Sequence, residues 1–331
     1  MRTAVLGAWI VAITAALAGA ALVYGSIPLP AGEVLAHFTG GGGVAPATGA
    51  ILRIRVDRLI LAMVTGASLG VSGTVLQAVL RNPLADPYVL GTSSGAACGA
   101  ALALILGIRM ALAPPLFALV GAAGSTMLVY AIARSAGGGV PRERLLLAGV
   151  IVGFFLGAVI MVLMTLSREM LPGIVAVLMG NLDHPFVPET RVAFRFSCVL
   201  VAIGLLLSFA HIREMDALCL GDEAAAHLGV SVERVRILLF LASSLLVGCV
   251  VSFTGLIGFV GLVVPHAVRM VVGPAHRRLL PLAAVGGAGL LTASDLLARN
   301  LTVSPLPVGV VTSLLGGPFF LYLLKTRRTE G

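Results

Sequence analysis

Residues 59–100 read LILAMVTGASLGVSGTVLQAVLRNPLADPYVLGTSSGAACGA. The first part, 59–80, is apolar and long enough to cross a hydrocarbon layer of ~30 Å at a rise of ~1.5 Å per residue. A backbone in lipid must satisfy its own hydrogen bonds, so such a run is a helix. It stops at a polar knot. Pro83 removes a backbone donor and disfavours helical geometry at Asn82, which ends the helix there. Asn-Pro followed by Asp-Pro then builds a compact turn on the inner face. The small residues from Gly91 to Ala100 let the next helix pack closely, or line a passage with backbone and hydroxyls. Non-helical backbone at membrane depth persists only where it is buried in protein or faces water. The stretch is therefore part of a gate, or else an ordinary interhelical turn; the residues alone leave both open.

The rest of the chain follows the same pattern. Of 331 residues, 59% are hydrophobic and 11% charged, and the mean hydropathy is +1.08. A soluble domain carries about 25% charged residues, so most of this surface must face lipid. Ten apolar segments are predicted, at about 4–24, 59–80, 89–107, 115–134, 144–166, 192–211, 235–253, 256–272, 280–297 and 306–324. The fold class is all-α, a polytopic integral membrane protein with one transmembrane domain over residues 1–331. The opening run to about Val23 is longer than a signal-peptide core and is taken as a retained first helix. The 41 glycines suit helices that approach through small faces.

Orientation follows from Lys and Arg. With the N-terminus inside, fourteen of the 22 basic residues fall on the inner side, which places both termini in the cytoplasm. Arg53, Arg55 and Arg58 oppose the rule, in a long outer loop 25–58 that is glycine-rich at Gly40–Gly43. A second outer loop, 167–191, contains LPGIVAVLMGNL, a short helix that lies at the outer surface or dips into the bundle. On the inner face the longest polar connection is 212–234, IREMDALCLGDEAAAHLGVSVER. There Gly221-Asp222, an Ala-rich turn and Gly229 make a short capped helix or a solvated linker. The net charge of +8 sits in short loops with no aromatic-studded stripe, so no nucleic-acid partner is expected.

Catalytic signatures are lacking. The one lysine, Lys325, cannot serve a Walker A loop. Cys98, Cys198, Cys219 and Cys249 stand apart without metal-site spacing, which favours packing roles. The fourteen acids fall at segment ends or in loops, whereas a proton-coupled carrier keeps one in mid-membrane. This weighs against an ion-coupled secondary transporter and against an intramembrane enzyme, the two rival classes. His266 in VVPHAVRM is either a ligand or a partner for a carbonyl freed by Pro265. Met161, Met164, Met170 and Met179 are packing residues or a pliable lining.

Residues 55–100, RVDRLILAMVTGASLGVSGTVLQAVLRNPLADPYVLGTSSGAACGA, resemble the membrane permeases of binding-protein-dependent ABC importers for iron-siderophores, haem and vitamin B12, the FecCD type. So do RLLLAGV at 144–150, LGDEAAAHLGV at 220–230, GLIGFVGLVVPHAVR at 255–269, SDLLAR at 294–299 and LPVGVVTSLLGGPFF at 306–320. The resemblance runs from about residue 50 to the end. It implies a type II ABC importer permease fold in a bacterial or archaeal cytoplasmic (inner) membrane, with a second copy of the chain and the pathway between them. It further implies two cytoplasmic ATP-binding subunits and a periplasmic or lipid-anchored substrate-binding protein. The chain itself is then no enzyme and holds no cofactor, since ATP and Mg belong to the partner ATPase. By resemblance, Arg55, Arg58 and Arg299 dock the binding protein, with Arg53 an extra candidate. Gly221, Asp222, Glu223, Ala224, Leu228 and Gly229 form the coupling helix toward the ATPase. The cytoplasmic gate corresponds to Asn82 and Leu84 and to Arg142 and Glu143. The last pair departs from the small hydroxyl residues of the B12 importers, and is either an interfacial latch or plain loop. The expected cargo is a large metal chelate, and no side chain selects among siderophore, haem and cobalamin.

Overall fold

In the computed structural model, the described residues are 2–327 without 26, 41–44, 109, 135–139, 185 and 303. Gly41–Gly43, Arg109, Arg328 and Glu330, used above to read loops and orientation, lie outside them. The chain is helical from end to end: α1 (Arg2–Val23), α2 (Ala31–Thr39), α3 (Pro46–Leu80), α4 (Thr92–Ile105), α5 (Ala113–Ala133), α6 (Arg142–Leu166), α7 (Leu171–Met179), α8 (Pro188–Ala210), α9 (Ile212–Leu220), α10 (Asp222–His227), α11 (Val232–Thr254), α12 (Val260–Val272), α13 (His276–Asn300) and α14 (Val308–Arg327). No strand occurs among the described residues. Each of the ten predicted apolar segments corresponds to one helix. Seven are long and apolar enough to cross a membrane, and α4, α12 and the apolar part of α14 are shorter.

Two expectations need correction. Arg53, Arg55 and Arg58 are not in a loop, because α3 starts at Pro46 and runs for 35 residues, about 52 Å. Proline at the first helical position starts the helix, and nothing between it and Arg81 is strong enough to break it. The helix therefore continues outward past the apolar part, and carries its charges beyond the hydrocarbon layer. Asp57, accordingly, is helical rather than at a segment end. The second correction concerns 212–220, which is α9 rather than the first part of a linker. Its Met215 and Leu218 are buried at helical spacing, a signal present in IREMDALCL.

Helices α3 and α11 are buried in the middle, while α1, α6 and α8 expose Trp9, Phe154, Phe155, Met161 and Leu206 to the lipid side. Between lipid-soluble helices there is little hydrophobic drive, so association relies on close packing. Helix α13 runs antiparallel to α3: a Cβ on Gly66 would overlap the carbonyl of Gly287, and one on Gly287 the carbonyl of Gly66. Gly95 of α4 and Gly121 of α5 meet the same way.

Three interrupted helices close the bundle. The amide of Leu256 donates to Val177 O at 2.7 Å, that of Asn181 to Thr254 O at 2.8 Å, and that of Gly309 to Gly180 O at 3.0 Å. The end of α7, the 255–259 break and the start of α14 thus satisfy one another's backbones, which is what irregular chain at this depth needs. The outer-loop helix is tied to the bundle by its C-terminal end and by the buried Ile174.

Gly66→Leu and Gly287→Val should each destabilise the bundle by about 3 kcal/mol or more, because no side chain can move out of the way of a backbone carbonyl. Gly124→Ala, with open space around it, should be neutral. Thermal unfolding of the detergent-purified chain checks both.

Candidate functional site

Helix α3 joins two polar centres at opposite ends of the bundle. At its N-terminal end Arg58 donates to Asp295 Oδ1 of α13 through Nε at 2.8 Å, and also pairs with Asp183. Arg299, one turn on from Asp295, holds the other carboxylate oxygen at 3.0 Å. Asp295 is 3% exposed and lies between two guanidinium groups. This acid is buried but lies near the end of α13, as its place at a segment end suggests, and its charge is matched on both sides.

Arg55 is buried. Its guanidinium donates to the carbonyls of Leu22 at 2.7 Å and Val23 at 2.8 Å, and also to that of Ile27. These groups lie at and just beyond the C-terminal end of α1, where carbonyls lack helical partners and a cation is favourable. In this conformation Arg55 is a cap for α1. Gly25 leaves the room for it: a Cβ there would stand 3.0 Å from the Arg55 guanidinium and 3.4 Å from that of Arg299. Arg53 is exposed instead. It flanks an open cavity of about 550 Å3 with Asp57, Arg58, Asp183 and Arg191.

At the other end, α3 closes on Arg81, a non-glycine residue in left-handed geometry (φ 45°, ψ 37°). The turn that follows is built from side-chain caps. Asn82 Oδ1 accepts from the Leu84 amide at 2.9 Å, and Asp86 Oδ1 from that of Tyr88 at 2.8 Å. Gln77, one turn back, accepts from Arg269 of α12 at 2.8 Å. Leu84 and Tyr88 line a largely apolar cavity of about 900 Å3, together with Met179, Leu256, Phe259 and Phe320. Phe259 is also left-handed (φ 67°), a strain of about 1–2 kcal/mol for a bulky residue. It is accommodated because Gly316 offers no Cβ against its ring. Of the four methionines singled out, Met179 lines this cavity. His266 is buried in α12 and shares a small cavity with Pro83 and Leu84.

Arg142 and Glu143 begin α6 rather than forming loop. Neighbouring residues on a helix point about 100° apart, and no ion pair joins these two among the described residues. Neither lines the cavity that Leu84 lines.

Beside the turn lie α9 and α10. Asp222 pairs with Arg81 at 2.9 Å and with Arg236 of α11 at 2.8 Å. Burial works against its charge, but the hydrogen bonds and charges of Arg236 and Arg81 outweigh it and hold the carboxyl below its usual range. The pairing is thus intact at neutral pH and is lost only as pH falls through that lowered value. Helix α10 ends as the glycine suggests: Gly229 (φ 83°) donates to Ala226 O and Val230 to Ala225 O, the hydrogen-bond pair of a left-handed C-terminal cap. Ala225 is buried and Ala224 half-buried, while Glu223, Ala226, His227, Leu228 and Gly229 are exposed. Asp216 of α9 accepts from the His276 amide at 3.1 Å and meets its ring at 2.6 Å, tying the hairpin to the start of α13.

The FecCD transport family model matches residues 10–326. The chain is 43% identical over 312 residues to the cobalamin import system permease protein BtuC of Halobacterium salinarum, covering 93% of this chain and 82% of that one. It is 40% identical to the hemin transport system permease protein HmuU of Yersinia pestis, over 84% of each chain. It is 37% identical to the Fe(3+)-citrate import system permease protein YfmD of Bacillus subtilis, over 84% of this chain and 82% of that one. The fold is similar to a solved metal-chelate-type ABC transporter in an inward-facing conformation, with a TM-score of 0.82, 28% identity, and 98% of this chain and 99% of that one covered.

Asp295→Asn should cost about 3–5 kcal/mol of stability, because it removes the buried carboxylate shared by Arg58 and Arg299 and leaves Arg58 with only Asp183. Asp183→Asn, at a carboxylate 62% exposed, should cost about 1 kcal/mol or less. Thermal unfolding of the two variants side by side measures the difference.

Proposed function

Since this chain belongs to the FecCD transport family, we propose that two copies of it form the path by which a binding-protein-dependent ABC importer takes up a large metal chelate. The chain is a multi-pass membrane permease subunit. The proposed cargo class, iron-siderophore, haem or cobalamin, is suggested by the relatives named above. The observation that carries the reading is the cavity of about 900 Å3 beside the Asn82–Leu84 turn. It is largely apolar and lies among the Arg81–Gly91 turn, the 255–259 break and the start of α14; a second copy facing it supplies a further wall. Smooth walls with few polar groups suit a path that passes a bulky ligand without holding it, since tight binding would slow release.

In this reading the membrane is the bacterial or archaeal inner membrane with both termini in the cytoplasm. A binding protein delivers cargo at the end that holds Arg58 and Asp295. Two ATPase subunits seat against the α9–α10 hairpin at the opposite end, and ATP and Mg bind to them. Glu223, Leu228 and the exposed Leu220 form the face turned to the ATPase, beside a cavity of about 400 Å3 under Leu228 and Val230. Asn82 and Leu84 form the inner gate. Arg142 and Glu143 stand at the head of α6 and contribute to the gate only across the paired copy. At the outer end, carboxylates of the binding protein meet Arg53, which is exposed, and compete with Asp183 and Asp295 for Arg58 and Arg299. Arg55 supports this surface by capping α1. Arginine suits such docking because it binds carboxylates in a bidentate geometry.

Reconstitution with the ATPase and binding protein encoded beside it should give ATP-dependent uptake of one chelate class from a panel of ferric siderophores, haem and cobalamin. Uptake driven by an ion gradient with no ATPase present defeats the reading. In the same system, Arg53→Glu should weaken binding-protein affinity about tenfold, roughly 1.4 kcal/mol, with the fold intact. Arg55→Glu should instead lower the yield of folded protein. Equal affinity for Arg53→Glu and the parent chain removes Arg53 from the docking surface.

A further inference from the structure

Helix α10 has two faces, and its first residue is on the inward one. The Asp222 carboxylate is held from both sides, by Arg81 Nη2 on Oδ1 and by Arg236 Nη2 on Oδ2. The two arginines belong to different parts of the bundle. Arg236 is in the second turn of α11 and 5% exposed. Arg81 is the last residue before Asn82, and its own amide is tied back to Ala78 O at 3.2 Å. A shift of the Arg81 side chain is therefore passed directly to the first residue of the gate turn. The residue before Asp222 is shaped for this contact. Gly221 takes φ 129°, and a Cβ on it would stand 3.2 Å from Arg81 Nη1. The glycine both turns the chain and makes space for the guanidinium.

We propose that Asp222 is a positioning residue that carries the motion of the α9–α10 hairpin to the Asn82–Leu84 turn through Arg81, with Arg236 as the fixed post on which it pivots. The inference rests on the permease reading above and adds a division of labour within α10. Glu223 and Leu228 face the ATPase, whereas Asp222 turns away from it and faces the gate. Charge-assisted hydrogen bonds suit a link that must pull as well as push, because they hold a defined geometry in both directions. An apolar contact at the same place resists compression only.

The test uses the full complex of permease, ATPase and binding protein in proteoliposomes, with haem, ferric siderophore or cobalamin as found for the parent. Uptake, ATP hydrolysis and ATPase assembly are measured together. Asp222→Asn keeps the size and removes the charge. It should leave assembly intact and ATP hydrolysis within about twofold, while uptake per ATP falls about tenfold or more. Asp222→Glu should restore part of the coupling, and Arg81→Gln with Asp222→Asn should be no worse than either alone. Glu223→Gln should act differently, by weakening assembly. Unchanged uptake per ATP in Asp222→Asn overturns the proposal. Loss of ATPase assembly in that variant also overturns it, since Asp222 is then a docking contact, as does an additive double variant. If Asp222→Asn does not fold, Arg81→Gln alone breaks the gate-side arm while Arg236 still holds Asp222. The same loss of coupling is expected, and an unchanged ratio again overturns the proposal. A parent complex that takes up nothing with ATP defeats the permease reading itself, and the inference with it.

Discussion

The bundle depends on the backbone contact between α3 and α13 at Gly66 and Gly287. In lipid, apolar side chains gain little by leaving the solvent for one another, so helices stay together through dispersion at close range and through polar contacts. Two glycines opposite each other bring the main chains as near as they can come. This contact also sets the antiparallel register of the two helices, and the register determines what meets at the end of the pair. Arg58 comes opposite Asp295, and Arg299 falls one turn further along α13.

The polar centres at the two ends of α3 follow a common rule. A buried charge is costly unless it is paired on every side. Asp295 has two arginines, and Arg55 has two carbonyls at the end of α1 and that of Ile27 beyond it. At the other end the buried Arg236 has Asp222, which it shares with Arg81. A single continuous helix therefore connects the Arg58–Asp295 centre with the turn that begins at Arg81. Arg58 and Arg81 are separated by about 35 Å of helix, comparable to the thickness of a hydrocarbon layer.

Around the large cavity the molecule tolerates irregular backbone. The turn from Arg81 to Gly91, the break at 255–259 and the start of α14 all surround the large cavity. Each is satisfied by side-chain caps or by the neighbouring break rather than by its own helix. A cavity wall built this way has fewer continuous helical hydrogen bonds than the rest of the bundle.

The sequence by itself determined the class of fold and the position of the breaks. Ten apolar segments were legible because hydropathy is additive along the chain, and the stop at Asn82-Pro83 because proline acts on its immediate neighbour. The close of α10 at Gly229 was legible for the same reason, since left-handed geometry is a property of one residue. The extent of α3 beyond its apolar part was missed, as hydropathy marks burial in lipid and not the end of a helix. Only the tertiary structure decided which charges meet. Arg81 and Asp222 are 141 positions apart, and Arg58 and Asp295 are 237 apart. Buried helices such as α3 and α11 are apolar nearly all round, so no stripe in the sequence points to a partner. Which side chain faces which is settled by packing register, and that exists only once the helices have come together.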